Sequence, residues 1–293
     1  MTNIGTLVAD DVRDTIPGIS NEVENNFMKI ISVTKDFIAH TLHTDTKKEV
    51  YECLKKNMFH FISQGIFDEA GNLKKTELLA RLESVDGKTL FPSTFCPIIE
   101  ANGLDNIFDQ LVVDKAFEQI FYRKPSIPCS INVNPSTLNA SFIQEVDRLY
   151  DFYLINPSQI IFEVLETEKI DDYDSFNKTL FELRKRGYKI AVDDFHPLGN
   201  HNALCIENLV EIDTVKIDGE YMKGLYNKTN TEWTVSDFLK NIENIKAKHP
   251  GIDIVVEKIE DEGMFLFFRN LLAHSHVENV SFQGYYFDCG SDF

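Results

Sequence analysis

The sequence predicts an α/β protein, a closed (β/α)8 barrel of the TIM type, and three observations carry that expectation. From about residue 59 onward, eight short β-rich runs alternate with amphipathic helical stretches. Their order is mostly strand then helix, which suits a parallel sheet with helical crossovers. Almost every run also carries a polar or charged residue, as a barrel that gathers its chemistry at one mouth requires. The rival architecture is an open doubly wound sheet; the lack of a Gly-rich phosphate loop after the first strands weighs against it.

The first element stands apart. After the break at Pro17 and Gly18, residues Val23, Phe27, Ile30, Ile31, Phe37, Ile38 and Leu42 fall near helical spacing and form one apolar stripe. Residues 1 to 50 are therefore read as an N-terminal helical extension, and 51 to 293 as the barrel. The stripe suits packing against the barrel, or pairing with a second copy in a homodimer. The strands follow as FHFISQGIF (59 to 67), TELLARLES (76 to 84), CSINVN (129 to 134) and IIFEVLE (160 to 166). KIAVDDF (189 to 195), TVKIDG (214 to 219), DIVVEKIE (253 to 260) and SFQGYYF (281 to 287) complete the set. Between them DNIFDQLVVDKAFEQIF, SFIQEVDRLYDFYL, DSFNKTLFELRKRG and VSDFLKNIENIKAKH read as helices, several opening on Asp or Ser, with Gly187 and Pro250 as stops.

Composition narrows the function. The net charge is -18, from 47 acidic against 29 basic residues, a field that repels a nucleic acid polymer. A small phosphate-bearing ligand remains compatible, because a divalent metal held by carboxylates inverts the local potential. The five cysteines are far apart and form no CxxC pair, which fits reduced thiols in a cytoplasm. The acidic start MTNIGTLVADDVRDTIPG and the absence of a long apolar run predict neither export nor a membrane span.

The chemistry gathers in the strands. Asp193 and Asp194 in KIAVDDF would point to opposite faces of a regular strand, so one solvated face does not explain both. With them stand Glu77, Asn132, Glu163, Glu166, Lys216, Glu257, Glu260 and Gln283. Any one acid alone reads better as a loop cap or half of a solvated ion pair. The set reads differently, because carboxylates inside apolar runs such as IIFE and IVVE are costly unless a cation pairs with them. Carboxylate and amide oxygens suit Mg²⁺, Mn²⁺ or Ca²⁺, and adjacent aspartates suit a two-metal site. A lysine among such acids could orient or deprotonate the attacking water of a phosphodiesterase.

These residues resemble a known family, the EAL domain. TELLARL is similar to the segment that names it, with Glu77 in the Glu position, Leu78 for Ala and Arg81 in the place of its Arg. SINVN resembles NxS with Asn134 for Ser, FEVLE resembles ExTE with Leu165 for Thr, and VDDFH resembles DDFG. VKIDG, VVEKIE and SFQGYYF are similar to the KID, AEGVE and QGY segments, and ISQGIFDEAG to the YQPI opening with Gln64 kept. The resemblance covers about residues 50 to 293 in order. It implies a modified (β/α)8 barrel that hydrolyses cyclic di-GMP to linear pGpG with Mg²⁺ or Mn²⁺. It also implies that Glu77, Asn132, Glu163 and Asp193 hold one metal, and that Asp193, Asp194 and a supporting Glu257 serve the other. Lys216 would position the water, Gln64, Arg81 and Gln283 would contact the dinucleotide, and Glu166 and Glu260 would support the loop and metal shell.

Three departures bear on activity, one being a distance from Asp193 to Lys216 about two residues longer than the family's. The loop reads DDFHPLGNHNAL where the family has DDFGxGxS, and Lys258 replaces the small Gly of AEGVE, where it is expected to crowd the floor of the site. They motivate an alternative, a catalytically weak or inactive EAL-like receptor for cyclic di-GMP or a protein-interaction regulator. A barrel enzyme acting on another phosphodiester is a third reading. His196 and His201 lack a trusted ligand spacing, His274 and His276 read as a helix end, and Trp233 implies no more than packing.

Overall fold

The computed structural model describes residues 45–196, 208–229 and 234–293. The apolar stripe of residues 23 to 42, His201, Cys205, Trp233 and most of the HPLGNH loop lie outside them. The described chain forms two compact units, one from residues up to 59 with 82–101, the other from 60–81 with 102–293.

In the first unit, helix α1 (Asp45–Lys55) buries Val50, Tyr51, Cys53 and Leu54. The tip of strand β2 (Leu73–Glu83) pairs antiparallel with the short β3 (Thr89–Leu90). Helix α2 (Pro92–Glu100) follows, with proline in its first turn, where no backbone donor is lost, and with Phe95 and Ile99 buried.

The second unit is the barrel. Strand β1 (Phe59–Asp68) and β2 are followed by helix α3 (Asp105–Arg123), β4 (Cys129–Val133), α4 (Ala140–Tyr153), β5 (Ile160–Val164) and α5 (Tyr173–Lys185). Then come β6 (Lys189–Phe195), β7 (Thr214–Ile217), α6 (Gly219–Asn227), α7 (Val235–Lys248), β8 (Asp253–Val256), α8 (Glu262–His274), β9 (Val280–Gln283) and the short β10 (Ser291–Asp292). Strands β2, β4, β5, β6, β7, β8 and β9 are parallel in that order, and β1 closes the ring between β9 and β2. The barrel expected from the sequence is therefore present, and it is modified at its first strand, which runs antiparallel to β9. The reason is local. Residues 68 to 72 make a tight turn, with Asp68 Oδ1 accepting the Ala70 and Asn72 N–H groups and Gly71 at φ 81°, so β1 and β2 form a hairpin. A turn this short joins antiparallel strands only.

The helices begin where side-chain oxygens meet orphan N–H groups. Asn139, Asp172, Asp218 and Asp261 cap α4, α5, α6 and α8, and Thr234 with Asp237 forms a capping box on α7. Helix α8 ends at His274 as expected. β4 and β5 are buried along nearly their whole length, the pattern of a parallel sheet covered on both faces.

Candidate active site

Side chains two apart on a strand share a face, so the in-register pairing of parallel strands stacks inward residues into layers. Glu77 on β2 stands opposite Ser130 on β4, Asn132 opposite Glu163 on β5, and Glu163 opposite Ala191 on β6. Lys216 enters from β7, Gln283 from β9 and Gln64 from β1.

Lys216 is the centre. Its side chain is 3% exposed, and Nζ lies 3.1 Å from Glu77 Oε2, 2.5 Å from Glu163 Oε1, 2.9 Å from Asp193 Oδ1 and 2.8 Å from Glu257 Oε1. Glu77 also accepts hydrogen bonds from Asn132 Nδ2 at 2.9 Å and Gln283 Nε2 at 2.7 Å. Gln283 Nε2 reaches Gln64 Oε1 at 3.1 Å, and Gln64 in turn donates to the Asp288 carbonyl.

The adjacent aspartates both reach the mouth because the strand stops being regular. The β6–β7 register shifts between Val192 and Phe195, and Asp194 takes φ 46°, a left-handed backbone that Asp tolerates better than most residues. Alternation is broken there. Asp193, Asp194 and Glu257 bring carboxylate oxygens within 4.8 Å of one another.

Electrostatics follow from burial and crowding. Burial alone would depress the Lys216 pKa, but Asp193, Glu163, Glu257 and Glu77 hold it well above the ordinary lysine value. Glu163 is pushed well up by burial and by Glu77, and Glu257 by burial and the Asp193–Asp194 pair. Glu77 is lowered despite its burial, because Lys216, Gln283 and Asn132 all favour its charged form. Asp194 is raised by burial and Asp193. Burial, with Asp194, Asp218 and Asp193, raises Glu166 to about 7.

Above this cluster opens a cavity of about 460 Å³. Its wall carries six carboxylates against the ammonium groups of Lys216, Lys223 and Lys258. Three observations fit a divalent cation: hard oxygen donors converge, their charge exceeds that of the lysines, and Asn132 Oδ1 is buried without a hydrogen-bond donor among the described residues.

Of the residues singled out from sequence, Gln64, Glu77, Asp193, Asp194, Lys216, Glu257, Glu260 and Gln283 line this cavity. Asn132 and Glu163 lie beneath, bonded to Glu77 and Lys216. Arg81 is not on the cavity wall; it donates to the Ala80 carbonyl, and burial lowers its pKa while Glu77 and Tyr285 act the other way. Glu260 sits at the rim, paired with Lys223 at 2.7 Å. Lys258 takes φ 50°, packs its stem over Gly219 and pairs with Glu220 at 3.2 Å. It is among the residues that line the cavity. Lys223, Glu220 and Tyr285 were not foreseen, because nothing in their local sequence separates them from solvated surface. His196 meets Tyr221 edge-on at 5.1 Å between ring centroids.

Comparison with known proteins bears on family and fold. The EAL domain family model matches residues 47–288. The chain is 28% identical over 182 residues to the cyclic di-GMP phosphodiesterase PdeF of Escherichia coli K12, covering 61% of this chain and 24% of that protein. It is 29% identical over 221 residues to the cyclic di-GMP phosphodiesterase PdeA of Borreliella burgdorferi, covering 73% and 32%. The chain thus spans about a quarter to a third of the length of these relatives. Among solved structures, an EAL domain protein from Listeria monocytogenes superposes with a TM-score of 0.70 at 20% identity, covering 86% of this chain and 96% of that one. The FimX EAL domain of Pseudomonas aeruginosa bound to c-di-GMP gives 0.67 at 18% identity, covering 85% and 97%. Klebsiella pneumoniae BlrP1, in a manganese and cyclic di-GMP complex, gives 0.60 at 22%, covering 78% and 55%.

Proposed function

This chain belongs to the EAL domain family, and from that membership we propose that it is a metal-dependent phosphodiesterase that hydrolyses cyclic di-GMP to linear pGpG. The observation that carries the reading is the buried lysine ringed by four carboxylates, two of which, Asp193 and Glu257, form with Asp194 a cluster of oxygens lining an open cavity. In this reading Glu77, Asn132, Glu163 and Asp193 hold one divalent ion, and Asp193, Asp194 and Glu257 serve the second. Bound there, Mg²⁺ or Mn²⁺ supplies Lewis acidity to the water and the phosphoryl oxygens. The ring of acids keeps Lys216 protonated, so it acts as a hydrogen-bond donor that orients the attacking oxygen rather than as the base. Gln64 and Gln283, joined to each other on the wall, contact the dinucleotide together with Arg81.

One observation favours a second reading, a receptor that binds cyclic di-GMP without turnover. Lys258 stands directly after Glu257 in a backbone conformation suited to glycine, adding a fixed cation to the wall that carries Asp193 and Asp194. Product formation by purified protein, with Mg²⁺ or Mn²⁺ and with EDTA as control, separates the two. Metal-dependent pGpG supports the enzyme; tight binding with no product under either metal removes it.

We further propose that it works in the cytoplasm, and that residues 1 to 50 pack on the barrel or pair two copies. No described helix is long and apolar enough to cross a membrane.

A further inference from the structure

Behind the site lies a buried carboxylate that the proposed chemistry does not use. Asp109, on α3, is 3% exposed. Its Oδ2 accepts the Asn134 backbone N–H at 2.8 Å, both its oxygens lie 3.1 Å from Asn134 Nδ2, and the Thr137 hydroxyl is 2.6 Å from Oδ2. All these donors belong to the segment that leaves the end of β4, two residues beyond Asn132.

That segment is bonded in turn to the one leaving β5. Leu165 N–H donates to the Val133 carbonyl at 3.1 Å, and the Thr167 hydroxyl to Asn134 Oδ1 at 2.8 Å. Ser136 donates to Glu168 from its backbone at 2.8 Å and from its hydroxyl at 3.0 Å. Between these anchors sits Glu166, whose Oε2 is buried with no hydrogen-bond donor among the described residues and whose electrostatic neighbours are Asp194, Asp218 and Asp193. A chain of bonds thus runs from helix α3 through Asn134 and Thr167 to the carboxylate that faces the aspartate pair.

We propose that Asp109, acting through Asn134, is a positioning residue for the carboxylate site, fixing the segments after β4 and β5 so that Asn132 is held on Glu77 and Glu166 is held beside Asp193 and Asp194. The choice of residue supports this. A buried carboxylate is expensive to keep, yet no neutral side chain of its size offers two oxygens to three donors. Removing it leaves the Asn134 N–H without a partner and frees both segments together. The proposal rests on the phosphodiesterase reading for its effect on turnover, but its structural arm does not.

The test compares wild type with Asp109→Asn and with Thr167→Val, the latter at an exposed position where folding is not at risk. Hydrogen–deuterium exchange reports the segment at 165–168, calorimetry reports Mn²⁺ affinity, and steady-state kinetics with cyclic di-GMP give kcat and KM separately. In Asp109→Asn we expect faster exchange at 165–168 with β7 unchanged, several-fold weaker Mn²⁺ binding, and kcat lower by about tenfold with KM within about twofold. Thr167→Val moves the same quantities less, and it decides the matter if Asp109→Asn does not fold. Faster exchange with wild-type Mn²⁺ affinity and kcat would mean a packing role only and would overturn the proposal. If wild type makes no product but Asp109→Asn still loosens the segment and weakens Mn²⁺ binding, the phosphodiesterase reading fails and the positioning role stands.

Discussion

Lys216 balances more negative charge than one ammonium can neutralise. Four carboxylates lie within 3.1 Å of it, and Glu77, Glu163 and Glu257 are buried. Lys216→Met should abolish turnover and, without divalent metal, destabilise the fold by about 3–5 kcal/mol, because it strands buried acids; urea unfolding checks the second part. Asp109 offers a pH test. Burial raises its pKa from 3.8 to about 6, so between those values the folded chain holds a proton that the unfolded chain has lost. Stability from this group is therefore full below about pH 4 and falls as pH rises through 6, by about 3 kcal/mol in all. Asp109→Asn should remove that component, so the wild-type-minus-variant difference in unfolding free energy should fall between about pH 4 and about pH 6 and be flat above that; a pH-independent difference would sink the assignment. The two residues also differ in legibility. A lysine within TVKI is visible as an anomaly in an apolar strand, whereas Asp109 lies among other polar residues of DNIFDQ and looks like solvated helix surface.

At the scale of elements, strand ends and the turns after them decide the site. A Cβ on Gly284 would lie 2.2 Å from the Ile259 carbonyl oxygen and 2.3 Å from its nitrogen, so the end of β9 and the segment after β8 can meet only if this residue has no side chain. Gly284→Ala should lower the melting temperature and cut turnover together, because Gln283 and Glu257 sit on the two backbones forced apart. One layer down, Lys75 on β2 pairs with Asp253 at 2.8 Å and with the Thr214 hydroxyl at 2.9 Å. Lys75→Met should cost about 1–3 kcal/mol of stability and leave KM near wild type; a large KM change would show that the two layers are not separable. Strands of strong apolar pattern are readable within a few residues, and KIAVDDF coincides with β6. Helices α2 and α6 escaped sequence reading, being short, with Pro92 and Gly219 at their starts obscuring the period.

For the molecule as a whole, the net charge of -18 and the excess of carboxylates on the cavity wall make metal binding and stability one question. Bound cations would relieve the repulsion among these carboxylates. Mn²⁺ at about 100 times its dissociation constant should stabilise the fold by about 2.7 kcal/mol, and EDTA should reverse the rise in melting temperature. An unchanged melting temperature at millimolar Mn²⁺ would remove the metal site from this account. Barrel closure belongs to this scale too. Strand order and type were legible from residue 59 onward, but the reversal of β1 turned on one tight turn and on pairing with β9, more than 200 residues away.

Which residues are apolar, where they alternate and which polar side chains interrupt them are written in the chain itself, and that is why the barrel and its family were visible there. Tertiary structure alone decided that Glu77, Glu163, Asp193 and Glu257 converge on one ammonium, that both Asp193 and Asp194 face the mouth, and that Arg81 does not line the cavity. The reason is one of range. Side-chain direction within a strand is local, with a period of two, whereas register between strands and the break at Asp194 are set by pairing between segments distant in the chain.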